Sequence, residues 1–320
     1  MNDHSQPTIR IGISSCLLGD RVRFDGSHKR DSFLTHTVGQ LVQFVPVCPE
    51  VEMGLGVPRA RLRLSRHAGD VRLISPATGQ DHTEAMREYS RKKIEVLRVQ
   101  DLCGFVVKKD SPTCGMTRVR VYDRNGVPSR DGRGLFSDEL LRAYPELPVE
   151  EEGRLRDPGL RENFFERVFA YRRLKSQFSG DWTLASLVEF HTREKFLLLS
   201  HHEKLYRELG RLVAHAREHD RDELERKYQA TFMEACSHVA TPRRHRNVLE
   251  HILGHFKTLL SRAEKSELLE IIGDFARGLI PLVVPVTLLR HHTRRHDLPY
   301  LLRQSYLDPH PRELMLRNHV

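Results

Sequence analysis

The sequence predicts an α/β domain with an open, mainly parallel sheet, followed by an all-α domain. From Ile9 to about Arg124, short apolar or β-branched runs alternate with amphipathic stretches, which is typical of parallel strands connected by helices. Beyond residue 150, almost every segment has the period of a helix. We therefore expect a first domain over residues 8–150, a linker with a helix over 151–182, and a helical domain over 183–320.

The first domain begins with the run IRIGIS, whose β-branched content predicts a buried strand. A helix is expected over residues 81–99, because Thr83 and Glu84 supply a cap and early negative charge before an apolar face. A turn-rich segment and then an acidic, proline-bearing segment close the domain. The strands are expected at residues 9–14, 38–47 and 103–109, and the closing segments at 123–134 and 145–153.

The second half has helical periodicity interrupted by glycine and proline. No fixed-period repeat accompanies it, so we expect a helical domain rather than a solenoid. The helices are expected at Asn163–Gln177, Thr183–Glu218, Asp222–Cys236, Thr241–Ala263, Ser266–Leu279 and Leu282–His292.

Composition narrows the class of protein. The start, Met1–Arg10, is polar. The longest apolar run, Leu279–Leu289, is broken by prolines and is shorter than the roughly 20 residues of a membrane helix. We therefore expect a cytoplasmic protein with no membrane partner. Five cysteines are an odd number in a chain with no sign of secretion, which favours ligands, nucleophiles or buried thiols over disulfides. The net charge of +9 favours polyanionic partners, among them nucleic acid.

Three cysteines, Cys16, Cys48 and Cys114, lie in tight loops that follow predicted strands. Ligands bind beyond the carboxyl ends of an open parallel sheet, so three loops can bring three thiolates to one place. A metal or cluster site is then about as plausible as three buried apolar cysteines, and zinc with a histidine ligand is the competing metal site. For Cys103 and Cys236 we expect only buried apolar roles.

Two polar residues share these loops. Glu50 is a candidate general base whose pKa burial beside a cluster would raise, and Ser111 is a candidate hydrogen-bond donor to a substrate. The alternatives are a surface carboxylate and a turn-forming serine before proline. Three thiolates would leave one iron of a four-iron cluster without a protein ligand, which implies chemistry on a substrate.

At these residues the sequence resembles the thiouracil desulfidase family. Its motifs appear as SSCLLG at residues 14–19, PVCPE at 46–50 and SPTCG at 111–115, where Thr113 replaces the serine of the family pattern. The match continues through VRFDG and GLGVPR, and covers most of residues 8–150. The resemblance implies a 4Fe-4S cluster on Cys16, Cys48 and Cys114, catalytic roles for Glu50 and Ser111, and hydrolytic conversion of C=S to C=O without net redox change. We also expect Asp25 and Arg59 to contact substrate.

The helical half is similar to the domain fused to this desulfidase in bacterial proteins that act on 4-thiouridine in tRNA. The similarity lies in FHTREKFLLLSHH, HRNVLEHILGHFK, PLVVPVTLLRHH and the tail YLDPHPRELMLRN. It implies a tRNA 4-thiouridine desulfidase with tRNA as partner. The alternatives are a desulfidase of free thiolated nucleobases or nucleosides, and a non-catalytic RNA-binding redox sensor.

Basic clusters in the helical half are candidates for contact with RNA phosphates. Tyr206, Tyr228 and Tyr306 are candidates for stacking on an unpaired base. Interspersed acidic residues such as Glu218 and Asp222 indicate that much of the surface is an ordinary solvated face. The predicted RNA-binding residues are Arg243, Arg244, Arg246, His291, His292, Arg294 and Arg295.

Overall fold

The computed structural model describes residues 9–67 and 69–320. Residues 1–8, which make up most of the polar start and include the first residue of the predicted first domain, lie outside the described residues. The chain divides into two compact units, Met1–Arg156 and Asp157–Val320. None of the helices in the described ranges combines the length and apolar character needed to span a bilayer.

Within the described residues, the first unit contains strands and three α-helices. Its strands are β1 Arg10–Ser14, β2 Gln43–Val47, β3 Arg63–His67, β4 Asp70–Ile74, β5 Leu102–Val107, β6 Val119–Tyr122, β7 Pro128–Gly132 and β8 Val149–Glu151. Its helices are α1 Pro49–Glu52, α2 Thr83–Arg98 and α3 Leu135–Ala143.

The first sheet has the order β2-β1-β5-β8, and every pair in it is parallel. This confirms the predicted open parallel sheet. Gly12 in the centre of β1 lets the Phe105 ring of β5 lie against the strand, since a Cβ at this glycine would come 2.2 Å from that ring. Ile11, Ile13 and Val106 are fully buried around it. The carboxyl ends of β1, β2 and β5 therefore lie side by side at one edge.

Two parts of this sheet differ from the expectation. Only Gln43–Val47 forms a strand within the expected 38–47, because the chain turns through short helical segments between Phe33 and Gln40. The acidic segment 145–153, expected only to close the domain, contains the buried strand β8. Its carboxylates tolerate burial because they have donors: Glu150 accepts from the Arg154 guanidinium and Glu151 from the backbone N–H of Met116.

A second sheet, in the order β4-β3-β6-β7, was not predicted. Its outer pairs are antiparallel and its central pair, β3 with β6, is parallel. The segment 123–134, expected to be rich in turns, holds the turn of the β6–β7 hairpin and strand β7. In this turn Asp123 accepts from the N–H groups of Asn125 and Val127. The sheet packs through Leu64 and Val121 against Met86 of α2, the helix that the sequence predicted.

The second unit is helical, as predicted. Residues 151–182, expected as a linker with a helix, contain the long helix α4, Pro158–Phe178, whose Leu174 and Phe178 are part of the unit's core. The expected helix Thr183–Glu218 is two helices, because the chain is extended at His202, whose ring accepts from Leu205 N–H. The helices are α4 Pro158–Phe178, α5 Leu184–His201, α6 Glu203–Ala214, α7 Arg221–Ser237, α8 Pro242–Gly254, α9 Arg262–Ala276, α10 Val283–Arg295 and α11 Pro299–Leu302.

Candidate active site at the edge of the parallel sheet

The three candidate cysteines line one cavity of about 580 Å³ in the first unit. Cys16 lies in a helical turn directly after β1, and Cys48 directly follows β2. Cys114 lies in the loop after β5. All three are free thiols, and β1 lies between β2 and β5 in the sheet. The strand order therefore brings the three cysteine loops to the same edge.

Polar contacts fix the backbone of the Cys48 loop. Glu52 reaches back from α1 so that its Oε1 accepts from Cys48 N–H at 2.8 Å. The other oxygen of Glu52 accepts from the Tyr89 hydroxyl at 2.8 Å and pairs with Lys93 at 2.7 Å. Both partners belong to α2, so the predicted helix of the first domain holds the Cys48 turn in place.

The start of α3 holds the Cys114 loop. The N–H groups of Phe136 and Leu135 donate to the carbonyls of Thr113 at 3.0 Å and Pro112 at 3.2 Å. The Ser137 hydroxyl donates to the carbonyl of Cys114. A Cβ at Gly134 would lie 2.5 Å from the Thr113 carbonyl and 2.8 Å from Cys114 N, so this close approach requires a glycine.

Burial dominates the acid–base behaviour of the thiols. Burial raises the pKa of Cys16 to about 11, opposed by the cationic Lys108, and raises the pKa of Cys114 to about 12. Burial also raises the pKa of Cys48. Thiolate ligation here therefore depends on a positive group in the cavity that stabilises the ionised sulfur.

The donor set has the chemistry of an iron–sulfur site. Thiolates are the soft ligands that hold such clusters. Among residues 9–67 and 69–320, no three His, Cys, Asp or Glu side chains are arranged to hold a metal ion. The three cysteines line one cavity.

Glu50 lines the same cavity and is held on both oxygens. Its Oε2 accepts from Arg59 Nε at 2.9 Å and also contacts Arg59 Nη2, while its Oε1 accepts from the Thr113 hydroxyl at 2.9 Å. We expected Glu50 to be buried beside a cluster, and the structure also places the Arg59 guanidinium beside it.

Ser111 also lines the cavity, and its hydroxyl organises the Cys114 turn. Its Oγ accepts from Cys114 N–H at 3.0 Å and from Thr113 N–H at 3.3 Å. The same oxygen lies 2.9 Å from the Thr113 hydroxyl. Ser111, Thr113 and Glu50 thus form one connected hydrogen-bonded group.

The cavity wall is strongly cationic. The second sheet supplies part of this wall through β3 and β6. Arg59 pairs with Glu50 and Lys108 with Glu152, whereas within the described ranges Lys29, Arg61 and Arg120 form no ion pair. The lining residues with positive side chains are Arg23, Lys29, Arg59, Arg61, Arg63, Lys108, Lys109 and Arg120, against two acidic residues, Glu50 and Asp110.

The remaining predicted residues of the first unit lie elsewhere or have other contacts. Arg59 reaches the cavity, but its donors are used by Glu50 and by the carbonyls of Val22 and Gly56. Asp25 is not part of the cavity lining, and it accepts from Ser27 in its own turn. Cys103 lies in β5, where it is 1% exposed.

The sequence reasoning missed three residues that hold the site together: Thr113, Glu52 and Glu151. Thr113 was noted only as a departure from the family pattern. Glu52 follows Cys48 by four residues, a spacing at which a carboxylate can bond back to the turn, so this signal was present. Glu151, 3% exposed, accepts from Met116 N–H just after the Cys114 loop, and no local pattern indicated this.

The predicted RNA-binding residues of the second unit differ in their surroundings. Arg244 donates to the carbonyl of His201, Arg246 pairs with Glu250, and Arg295 pairs with Glu264. Arg243 is exposed, and His292 is partly buried against the Phe256 ring. His291 and Arg294 line a separate cavity of about 360 Å³ together with Arg290 and Arg312.

Two of the three candidate stacking tyrosines are unsuitable for that role. Tyr228 and Tyr306 are fully buried, and their hydroxyls bond to His191 and His245. Tyr206 is partly buried and stacks on the His191 ring. Cys236, expected to be a buried apolar residue, is 1% exposed.

In comparisons with known proteins, the two units match different families. Residues 11–152 match the family described as 2-thiouracil desulfurase, and residues 195–311 match a family described as a protein of unknown function, DUF1722. A solved structure described as the 4Fe-4S-dependent thiouracil desulfidase TudS is 28% identical, covers 46% of this chain and 93% of its own, and has a TM-score of 0.38.

Two curated proteins are similar over much of their own length. Uncharacterized protein YbgA of Escherichia coli strain K12 is 31% identical over 153 residues, which are 48% of this chain and 90% of that protein. Uncharacterized protein YbbK of Bacillus subtilis strain 168 is 30% identical over 110 residues, or 33% of this chain and 72% of that protein. The chain therefore belongs to the 2-thiouracil desulfurase family, with a DUF1722 domain in its second unit.

Proposed function

We propose that this protein is a tRNA 4-thiouridine desulfidase that replaces the sulfur of the base by oxygen from water. The proposed cofactor is a 4Fe-4S cluster on Cys16, Cys48 and Cys114. The observation that supports this most is that the three thiols line the same cavity as Glu50 and Ser111. The membership of the 2-thiouracil desulfurase family supports the same reaction class.

The three cysteines suit this cofactor because they supply three soft donors from one edge of the first sheet. When bound, a cluster with one iron free of protein ligands supplies a soft Lewis acid that polarises a C=S bond. The backbones of the Cys48 and Cys114 loops are held by hydrogen bonds to α1, Ser111 and the start of α3.

Glu50 and Ser111 supply the polar chemistry in this proposal. Arg59 holds Glu50 Oε2, while Oε1 accepts only one hydrogen bond among the described residues and retains a lone pair for a water proton. Glu50 then acts as the base for the water that adds to the carbon bearing sulfur. The Ser111 hydroxyl lines the same cavity and is linked to Glu50 through the Thr113 hydroxyl.

The charge of the cavity favours a substrate with phosphates. Lys29, Arg61 and Arg120 line the cavity and form no ion pair within the described part of the chain, so their charge is available to an anionic ligand. A free thiolated base is uncharged when it binds through its C=S group, and gains little from such a wall. The cationic wall would attract the phosphates of an RNA chain, over a range that depends on the salt concentration.

A further RNA contact is proposed in the second unit, at His291 and Arg294. Arg294 and Arg312 line the cavity there and form no ion pair in the residues that the structure describes. Arg244, Arg246 and Arg295 have intramolecular partners, which makes them weaker candidates.

The second candidate function is desulfidation of free thiolated nucleobases, and the description of the matching family as 2-thiouracil desulfurase favours it.

The test uses the full chain reconstituted with iron and sulfide without oxygen. We expect about four irons per chain and loss of the near-ultraviolet absorbance of 4-thiouridine in bulk tRNA. Cys48→Ala should lose iron and activity, whereas the control Cys103→Ala should keep both. Activity on free 2-thiouracil with none on tRNA would contradict the tRNA assignment, and an iron-free active protein would contradict the cofactor.

A further inference from the structure

Thr113 connects the two polar residues that the proposed chemistry uses. Its side chain is 1% exposed. Its hydroxyl donates to Glu50 Oε1 at 2.9 Å and lies 2.9 Å from Ser111 Oγ. Glu50 follows β2 and Ser111 follows β5, so this hydroxyl joins two loops that are 61 residues apart in sequence.

The direction of the hydrogen bonds follows from the donors that are present. A hydroxyl has one hydrogen, and that of Thr113 goes to the Glu50 carboxylate, which can only accept. The hydrogen between Ser111 and Thr113 must then come from Ser111. Ser111 Oγ in turn accepts from the N–H groups of Cys114 and Thr113. The order is therefore backbone N–H to Ser111, Ser111 to Thr113, and Thr113 to Glu50.

The main chain of Thr113 is as fixed as its side chain. Its carbonyl accepts from the N–H groups of Phe136 at 3.0 Å and Ser137 at 3.3 Å. Gly134 packs against the same carbonyl with no room for a Cβ. A β-branched threonine also has few χ1 rotamers, which limits the directions in which its hydroxyl can point.

We propose that Thr113 is a positioning residue that sets the orientation of the Ser111 hydroxyl and the Glu50 carboxylate relative to each other. The inference rests on the proposed function, in which Glu50 acts as the base for water in the cavity that Ser111 also lines. Without the Thr113 hydroxyl, the Ser111 hydrogen would be released to rotate and Glu50 Oε1 would lose its only donor among the described residues. The carboxylate would still be held by Arg59, but through one oxygen.

The experiment compares Thr113→Val, which removes the hydroxyl at nearly constant volume, with Thr113→Ser, which keeps it. With reconstituted full-length protein and tRNA containing 4-thiouridine, we expect Thr113→Val to lower kcat by about 10- to 100-fold, a loss typical of residues that orient active groups. KM should change less than about threefold, and iron per chain should stay the same. Thr113→Ser should restore kcat to within about threefold of the original protein.

A second measurement needs no activity. In metal-free protein, the urea midpoints of Glu50→Gln, Thr113→Val and the double variant should be non-additive, because the two side chains share one bond. Additive midpoints, or a Thr113→Ser variant as slow as Thr113→Val, would overturn the proposal. If the original protein desulfurates no thiolated substrate, the proposed function fails, while the midpoints still decide whether Thr113 and Glu50 are coupled.

Discussion

Replacing Arg59 by methionine would remove the cation that holds Glu50. The Arg59 side chain is 6% exposed and that of Glu50 is 15% exposed, so water would replace little of the lost ion-pair interaction. The change also leaves the carbonyls of Val22 and Gly56 without this donor, at 2.9 and 3.0 Å in the structure. Breaking a fully buried pair costs about 3–5 kcal/mol, and the partial exposure of Glu50 lowers our expectation to about 2–4 kcal/mol.

Hydrogen exchange at the amides of β1 and β5 in increasing urea measures the decrease in the free energy of unfolding in the metal-free protein. Glu50→Gln and the double variant complete a cycle, in which we expect a coupling of about 2 kcal/mol between the two side chains. Arg61→Met is the matched control, because Arg61 lies over the Phe24 ring 4.6 Å from its centroid and has no ion pair in the described residues. It should cost less than about 1 kcal/mol. Equal losses for Arg59→Met and Arg61→Met, or additive effects with Glu50→Gln, would refute the reasoning.

Two further predictions concern packing and pH. Gly134→Ala places a Cβ 2.5 Å from the Thr113 carbonyl and should destabilise the first unit by about 1–3 kcal/mol in the same exchange measurement. Gly254→Ala, with no atom within 4 Å, should be neutral or slightly stabilising at the amides of α8 in the second unit, and equal effects would contradict this. Burial lowers the pKa of His245 to about 3 from an ordinary 6.5, so the unfolded chain binds the proton more readily and the second unit loses stability as pH falls from about 6.5 to 3. His245→Gln should make that loss shallower in chemical unfolding at several pH values, and an unchanged slope would show that another group causes it.

The first sheet was predictable because its strands carry a strong local signal. β1 and β5 are runs of apolar residues that are buried on both faces, and α2 has a cap and an apolar stripe. The second sheet gave no such signal, since β7 reads PSRDG and four of its five residues are exposed. Its strands form because β6 and the hairpin cover Leu64 and Met86, which is a tertiary effect.

The candidate site shows the same division between local and tertiary information. Glu50 and Ser111 were identified because they lie in the cysteine loops, within three residues of a thiol. The Arg59 partner of Glu50 depends on how a separate loop folds back, so the sequence did not indicate this ion pair. The Glu151 contact to Met116 N–H depends on β8 joining the sheet beside β5, which the acidic sequence of that segment gave no reason to expect.

Strand direction explains why Cys103 and Cys114 have different environments although both belong to the β5 region. Cys103 is the second residue of β5, and the strand continues for four more residues to Val107. At about 3.3 Å per residue, Cys103 lies about 13 Å from the carboxyl end at which Cys16 and Cys48 are found. Cys114 follows that end, where the loop returns against α3 and faces the cavity. In a parallel sheet the position of a cysteine along its strand therefore decides whether it can join a shared site, and burial alone does not, because Cys103 and Cys114 are both buried.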